Sequence, residues 1–593
     1  MNSSNYKLFD GKVIIRSRDR ICDTPEELLA SRLFREILKR CIGQLSDRNS
    51  RLLSIFDLTP VTDEDIRLLI ETLQFLIKIP SDLIPRVVPG SEQFFRNRTL
   101  FKDFIEYLYN YWRQLQRLII CDSVDDRYDK RPYRTFNNTV ETLTHVVRST
   151  YRDVQENITG NHPRIYRQVS AGAEIAAIAL PRNILYPDEI YTRLNAISLI
   201  RQVLIYPPLI FNPPMNKRSG VFEQVFQNPL ENANLNKEDW LCYPARVGQL
   251  LVLVYFCDRF FELGFSLCNL FELADDAAIA QKPDAILLFG VPEYCIPSGS
   301  ANPNGSRTVF YEDPQNSLLV GAIPDSNEFG YFGYVKKMVL TLHNIKMMKM
   351  GRLPFHGALV NLVIRDKGDF TILIMGDTGA GKSETLEALR QVGEDAVQDV
   401  TIIADDMGSL EIDPQGNIIG YGTEMGAFVR LDDLQLGYAF GQIDRTILMN
   451  PDQTNARVVL PVTTYENVVK GFKVDFILYA NNYEEIDAQH PVIELIDSVE
   501  KALDIFREGA VMSKGTTTTT GLVRTYFANI FGPHQNQALH ETLARQYFEA
   551  FYRQKLFVGQ IRTRLGIAGK ERKGPEEAAR ELLQVLESQE ITR

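Results

Sequence analysis

Residues 370–391 read FTILIMGDTGAGKSETLEALRQ, an apolar run, a glycine-rich loop and a helix-forming stretch in succession. Phe370 to Met375 has the composition of a buried strand, and Glu384 to Gln391 that of a helix. Between them Gly376, Asp377, Thr378, Gly379, Ala380, Gly381, Lys382 and Ser383 fit the pattern G-x-x-x-x-G-K-S/T. In such a loop the glycines let backbone N–H groups turn inward around phosphate oxygens. The lysine reaches the outer phosphates and the hydroxyl reaches Mg²⁺. The strand-loop-helix context separates this loop from an ordinary tight turn, and Glu384 opens the helix at its edge. Further on, Thr401 to Ala404 reads as a strand that runs into Asp405-Asp406, an acidic strand end suited to a divalent metal. The pair implies a chain that handles a nucleoside triphosphate together with a metal ion.

Outward from this core, strands are expected at Ala285 to Phe289, Thr308 to Tyr311, Ala358 to Ile364, Ala456 to Leu460 and Val474 to Tyr479. Helices are expected at Glu494 to Phe506, Leu539 to Arg553 and Pro575 to Leu586. Interleaved strands and helices give an α/β or α+β fold for this half. The first 200 residues look mostly helical. Thr24-Pro25-Glu26-Glu27 is a capping box opening a helix to about Leu45, and Thr62-Asp63-Glu64-Asp65 opens a second. Leu100 to Ile120 carries Phe101, Phe104, Tyr107, Tyr109 and Trp112 at helical spacing, a pattern that reads as core. Prolines and asparagines cluster between Tyr206 and Tyr243 and mark a domain boundary.

The 593 residues suffice for several domains, about three or four by the usual length prior. A net charge of −11 offers no general attraction to nucleic acid. Seven scattered cysteines without C-x-x-C spacing indicate neither a disulfide framework nor a zinc site, and a reducing cytoplasm is the expected compartment. The polar, mixed-charge first 20 residues do not read as a signal peptide, and no apolar run approaches a membrane span of roughly 18 residues.

One longer constellation narrows the reading. Tyr331-Phe332-Gly333-Tyr334-Val335-Lys336-Lys337 precedes the loop, and His356 follows Lys337 at a distance of 19 residues. With the phosphate loop and Asp405-Asp406, this order resembles the phosphoenolpyruvate carboxykinase family, which carries Tyr-x-Gly-x-x-Lys-Lys, a histidine, the loop and an Asp-Asp pair. Glu424-Met425-Gly426 looks like its Glu-Gly-Gly segment, Thr454-Asn455-Ala456-Arg457 followed by Pro461 like its Glu-Asn-x-Arg motif, and Gly515 to Pro533 like its Gly-Thr-Glu lid and Phe-x-x-x-Phe-Gly stretch. The match covers roughly residues 245–590. Locally, His356-Gly357-Ala358 with GDTGAGKSE is also similar to HPr kinase/phosphorylase, which phosphorylates a protein serine.

The chain is expected to divide into a helical N-terminal region at 1–205, which does not resemble that family, a substrate-side α/β domain at 206–350 and a nucleotide- and metal-binding P-loop domain at 351–593. The resemblance implies Lys337, His356 and Asp406 as Mn²⁺ ligands, with Ser383 holding the Mg²⁺ of ATP and Asp405 close by. Lysine ligates only as the neutral amine, so Lys337 must have a strongly lowered pKa. Lys382 and the loop would neutralise the γ-phosphoryl, Glu424 would lie near the nucleotide, and Arg457 would bridge nucleotide and substrate. Tyr331 and Arg218 would contact a small carboxylate substrate, oxaloacetate or phosphoenolpyruvate. The family's N-terminal Gly-Arg-Ser-Pro-Lys-Asp-Lys segment is absent; Lys217-Arg218-Ser219-Gly220 is an echo of it and Arg246 another candidate. Three functions fit: an ATP-dependent carboxykinase, a kinase for a protein serine or a small hydroxyl compound, and a nucleotide-binding scaffold. A protein partner, if any, would meet the helical region; neither nucleic acid nor membrane is expected as one.

Overall fold

The computed structural model describes residues 5–18, 20–57, 60–123, 131–161, 171–207, 209–218, 222–297, 308–393, 396–434, 445–514 and 520–588. Of the sequence readings above, Ser219, Gly220, Gly515 and Thr516 to Thr519 lie outside these residues. The chain forms two compact units: residues 1–182 with 198–209, and residues 183–197 with 210–593.

The first unit is mixed rather than mostly helical. Strands Asn5–Phe9, Lys12–Ser17, Gln116–Asp122, Ile175–Leu180 and Leu199–Ile205 lie side by side in that order. The middle three are parallel, and the first and last of the five are each antiparallel to the strand next to them in this series. The expected helix Leu100 to Ile120 is the helix Arg98–Gln114 followed at once by the strand Gln116–Asp122. Leu118 to Cys121 is buried throughout; a short continuous apolar run suits a parallel strand covered on both faces, and its pattern alone does not separate it from helix. Thr24 does cap a helix, accepting from the Glu27 N–H at 3.2 Å. That helix ends at Ala30, because Ser31 turns extended and caps a new helix, Arg32–Asp47. Thr62 and Asp65 form both arms of a capping box on Asp63–Leu76. Phe101 and Phe104 are fully buried, and Tyr107, Tyr109 and Trp112 pack against the same core.

The second unit holds two large sheets. One contains, in order, Trp240–Val247, Leu250–Cys257, Ala285–Val291, Leu318–Pro324, Thr308–Asp313 and Phe222–Val225. The other is built on the 12-residue strand Leu353–Ile364, which pairs antiparallel with Gly368–Met375 on one side. On the other side it pairs with Val397–Ala404 and then with Met407–Ile412. Gly368–Met375 continues, parallel, to Phe476–Asn481 and Phe557–Arg562. The helix Phe332–Lys349 packs on strands of both sheets and is buried on nearly all faces, with Lys336, Thr341, His343 and Asn344 buried among its apolar residues. It carries Lys336 and Lys337 to the start of the Leu353–Ile364 strand. The helix expected from Glu494 starts later, at Val499, behind the Ser498 cap.

Candidate functional site

The phosphate loop leaves its strand at Met375 and enters the helix Lys382–Val392 at Gly381, whose φ is +92°. Gly379 has φ +79°. The Gly376 N–H donates to the His356 carbonyl at 3.1 Å, and Thr563 Oγ1 donates to the Ala380 carbonyl at 2.7 Å, so both ends of the loop are pinned to neighbouring strands. Asn482 Nδ2 holds the Gly379 carbonyl at 2.9 Å. The buried Lys382 ammonium donates to the carbonyls of Gly376 at 2.6 Å and Asp377 at 3.1 Å, folded over the mouth of its own loop.

The strand opposite is interrupted. An extra residue, Ile403, shifts the pairing between Leu359 and Val360, and regular strand stops at Ala404 and resumes at Met407. A bulge of this kind re-aims side chains. Asp405 and Asp406 both line the cavity that results, Asp405 with Ser383 Oγ 3.5 Å away. Asp406 meets Lys336 Nζ at 2.7 Å and His356 Nε2 at 3.0 Å. Lys336 also meets Glu424 at 3.0 Å, and both Lys336 and Glu424 are almost completely buried.

Burial opposes the charge on Lys336, yet Asp406 and Glu424 hold its pKa above the usual value. Burial likewise opposes ionisation of Asp406, but Lys336 and His356 hold it well below the carboxylate range. Glu424 is pushed up to about 8 by burial, against the pull of Lys336. Asp406 is therefore the lasting anion of the group at neutral pH. Asp405 is raised, by burial and then by Asp406. Two adjacent carboxylates are thus driven apart by their surroundings, the arrangement that separates an acid-base group from a fixed charge.

His356 Nδ1 is hydrogen-bonded to the Ala528 carbonyl, which can only accept, so Nδ1 carries the proton. Nε2, buried and without an aligned hydrogen bond, lies 3.0 Å from an Asp406 oxygen. In a neutral, Nδ1-protonated imidazole this nitrogen would be free to join Asp406 on a cation beside them. Burial, and then Arg218, lowers the Lys337 amine to about 8, which brings the neutral, ligating form within reach near neutral pH. The donor set of Lys337, His356 and Asp406 thus fits a divalent ion. Among the described residues there is no cluster of three or more His, Cys, Asp or Glu side chains that could hold a metal.

Asp377, Thr378, Gly379, Gly381, Lys382, Ser383, Glu384, Tyr331, Lys336, Lys337, His356, Arg218 and Arg457 share one cavity of about 890 Å³. The Lys337 ammonium lies 4.6 Å from the centre of the Phe531 ring, and the Arg457 guanidinium 5.5 Å from that of Phe428. Burial raises the Tyr331 phenol, with Arg457 beside it opposing the rise. Gly376, Ala380 and Glu424 stand behind this lining: Ala380 and Glu424 are buried, and Gly376 packs on Ala480. Arg246 is not brought there; it donates to the Tyr465 hydroxyl at 2.8 Å and the Gln249 carbonyl at 3.2 Å. Lys336 as the partner of Asp406 and the Ala528 carbonyl as the partner of His356 were not foreseen. Only the Lys-Lys dipeptide hinted at the first, and nothing in the sequence marks the second. Neither a known protein family nor a curated protein matches the sequence.

Proposed function

We propose that this cavity carries out metal-dependent phosphoryl transfer between ATP and a small carboxylic acid, as a phosphoenolpyruvate carboxykinase-like enzyme acting on oxaloacetate. The observation that carries the reading is the company kept by Lys337. An amine lowered to about 8 shares one cavity with two arginines, Arg218 and Arg457, and with a phosphate loop. Two guanidinium forks suit a dicarboxylate, and a site that only holds a nucleotide does not need them.

In this reading the loop N–H groups and Lys382 hold the β- and γ-phosphates. Arg457 neutralises charge between the γ-phosphoryl and the acid, while Arg218 and Tyr331 orient the acid's carboxylates. Lys337, His356 and Asp406 would hold a Mn²⁺, and Ser383 the Mg²⁺ of the nucleotide; such ions supply neutralisation for oxygen anions that develop during transfer. The C–C bond to the departing carboxylate breaks, CO₂ leaves, and the enolate oxygen takes the γ-phosphoryl as ADP departs. Lys336 keeps Asp406 ionised throughout.

The raised Asp405 beside Ser383 supports a second reading, a kinase in which Asp405 takes the proton of an acceptor hydroxyl. One assay separates the two. Phosphoenolpyruvate formation from oxaloacetate is measured with ATP, GTP or no nucleotide in Mn²⁺ plus Mg²⁺, beside Lys382→Ala. Nucleotide-dependent turnover that Lys382→Ala abolishes is the expected result. ATP binding without any product from oxaloacetate would reject the carboxykinase reading in favour of the kinase.

A further inference from the structure

Phe527, Ala528 and Asn529 have φ of +44°, +59° and +61°. Three successive non-glycine residues in the left-handed region are costly, because each Cβ crowds the following carbonyl. Such conformations persist only where the surroundings over-determine them, and they gather at functional sites. Here the turn closes on itself, with Ala528 N–H to the Thr525 carbonyl and Asn529 N–H to the Tyr526 carbonyl, both at 3.1 Å. Its flanks are tied down as well. The Phe527 N–H donates to the Arg507 carbonyl at 3.2 Å, the Phe527 ring packs on His540, and the Tyr526 hydroxyl meets His540 Nδ1 at 2.8 Å. Two residues on, the Phe531 carbonyl accepts from Asn344 Nδ2 at 2.8 Å, on the helix that carries Lys336 and Lys337.

What this arrangement delivers is the Ala528 carbonyl, set against His356 Nδ1. The same segment puts the Phe531 ring under Lys337 and beside the His356 ring, 6.2 Å between centroids. We infer that the left-handed turn Phe527–Asn529 is a positioning element that fixes His356 in its Nδ1–H tautomer and aims Nε2 at Asp406, so that the imidazole is ready to take a metal before any metal arrives. This rests on the proposed metal-dependent function for its purpose, though not for its geometry. An outer partner that sets the tautomer of a ligating histidine is worth about 10–100-fold in metal affinity.

Asn529 offers the test, because it lines the cavity and asparagine tolerates the left-handed region. Asn529→Gly removes the side chain and keeps the turn; Asn529→Val keeps bulk but is β-branched and resists positive φ. With ¹⁵N-histidine labelling of the full chain's seven histidines, the metal-free protein is examined above pH 8, and Mn²⁺ affinity is titrated in parallel. The wild type and Asn529→Gly are expected to show His356 protonated at Nδ1 only and to bind Mn²⁺ within about twofold of each other, whereas Asn529→Val loses the fixed tautomer and about 10–100-fold in affinity. An Nε2–H, averaged or doubly protonated His356 in the wild type overturns the inference, whether or not the valine variant folds. So does an Asn529→Val protein that retains the tautomer, or an Asn529→Gly protein that falls as far as Asn529→Val. If the wild type binds no Mn²⁺, the metal-dependent function fails, and the tautomers still decide the role of the turn.

Discussion

Lys336 and Lys337 are neighbours on one helix, about 100° apart around its axis by the helical repeat, and that turn gives them opposite electrostatic fates. Lys336 is held between Asp406 and Glu424, while Lys337 faces the cavity with Arg218. Removing one partner of a buried pair costs far more than the pair's net worth, because the other charge stays buried. Lys336→Met is therefore expected to lower stability by about 3–5 kcal/mol in urea denaturation, through an uncompensated Asp406. Lys337→Met should do the opposite at pH 7. The folded state releases the Lys337 proton near 8, whereas an unfolded lysine keeps it to about 10.4. Below 8 the native protein must hold a disfavoured charge; between the two values the unfolded state binds more protons, and wild-type stability rises with pH. The urea midpoint of Lys337→Met should thus exceed the wild type's at pH 7, the gap should close as pH climbs from 8 toward 10, and Mn²⁺ binding should be lost. A gap that widened with pH would contradict the lowered amine. The sequence reading pointed to Lys337 and left Lys336 as the charge beside it; which one is locked and which is available depends on where Asp406 and Glu424 come in space.

At the scale of elements, the strand, glycine-rich loop and helix were legible because the backbone dictates the residues: a loop that turns at positive φ favours glycine. The two glycines nevertheless differ. A Cβ on Gly379 would meet open space, whereas on Gly381 it would lie 2.5 Å from Thr563 Oγ1, itself fixed on the Ala380 carbonyl. Gly379→Ala should cost about 1–2 kcal/mol of backbone strain. Gly381→Ala should cost that and about 1–3 kcal/mol more from overpacking, with ATP affinity falling further than in Gly379→Ala. Denaturation and nucleotide titration of the two variants check the order; equal losses would mean the Thr563 contact yields freely. Elsewhere the local signals were silent or ambiguous. The turn at Phe527–Asn529 contains no glycine to announce it, and the conformation is imposed by contacts from Arg507, His540 and Asn344, distant in sequence. The strand Gln116–Asp122 continued the apolar pattern of the helix before it, so only pairing with Lys12–Ser17 and Ile175–Leu180 distinguishes it.

At the scale of the whole chain, each unit has its own hydrophobic core, and among the described residues every side chain lining the 890 Å³ cavity belongs to the second unit. Among those residues, too, no helix is long and apolar enough to cross a membrane. Phe104 is buried at the centre of the first unit's helices, with the Phe56 ring edge-on at 6.1 Å. Truncating it leaves a cavity in a close-packed interior, and Phe104→Ala should cost the first unit about 3–5 kcal/mol. If the site is complete within the second unit, ATP titrated into Phe104→Ala below its unfolding temperature should bind within about twofold of the wild type. Ligand stabilisation follows where the ligand binds, about 2.7 kcal/mol at 100 times Kd. Calorimetry of Phe104→Ala should therefore show the mutation and the nucleotide acting on different parts of the heat absorption: the mutation lowers the part that Phe104 supports, and ATP raises the part that Lys382→Ala leaves insensitive to nucleotide. A loss of ATP affinity in Phe104→Ala while the protein remains folded would mean that the first unit contributes to the site through the chain as a whole, and the cavity-lining residues would then be an incomplete account of what binds the nucleotide.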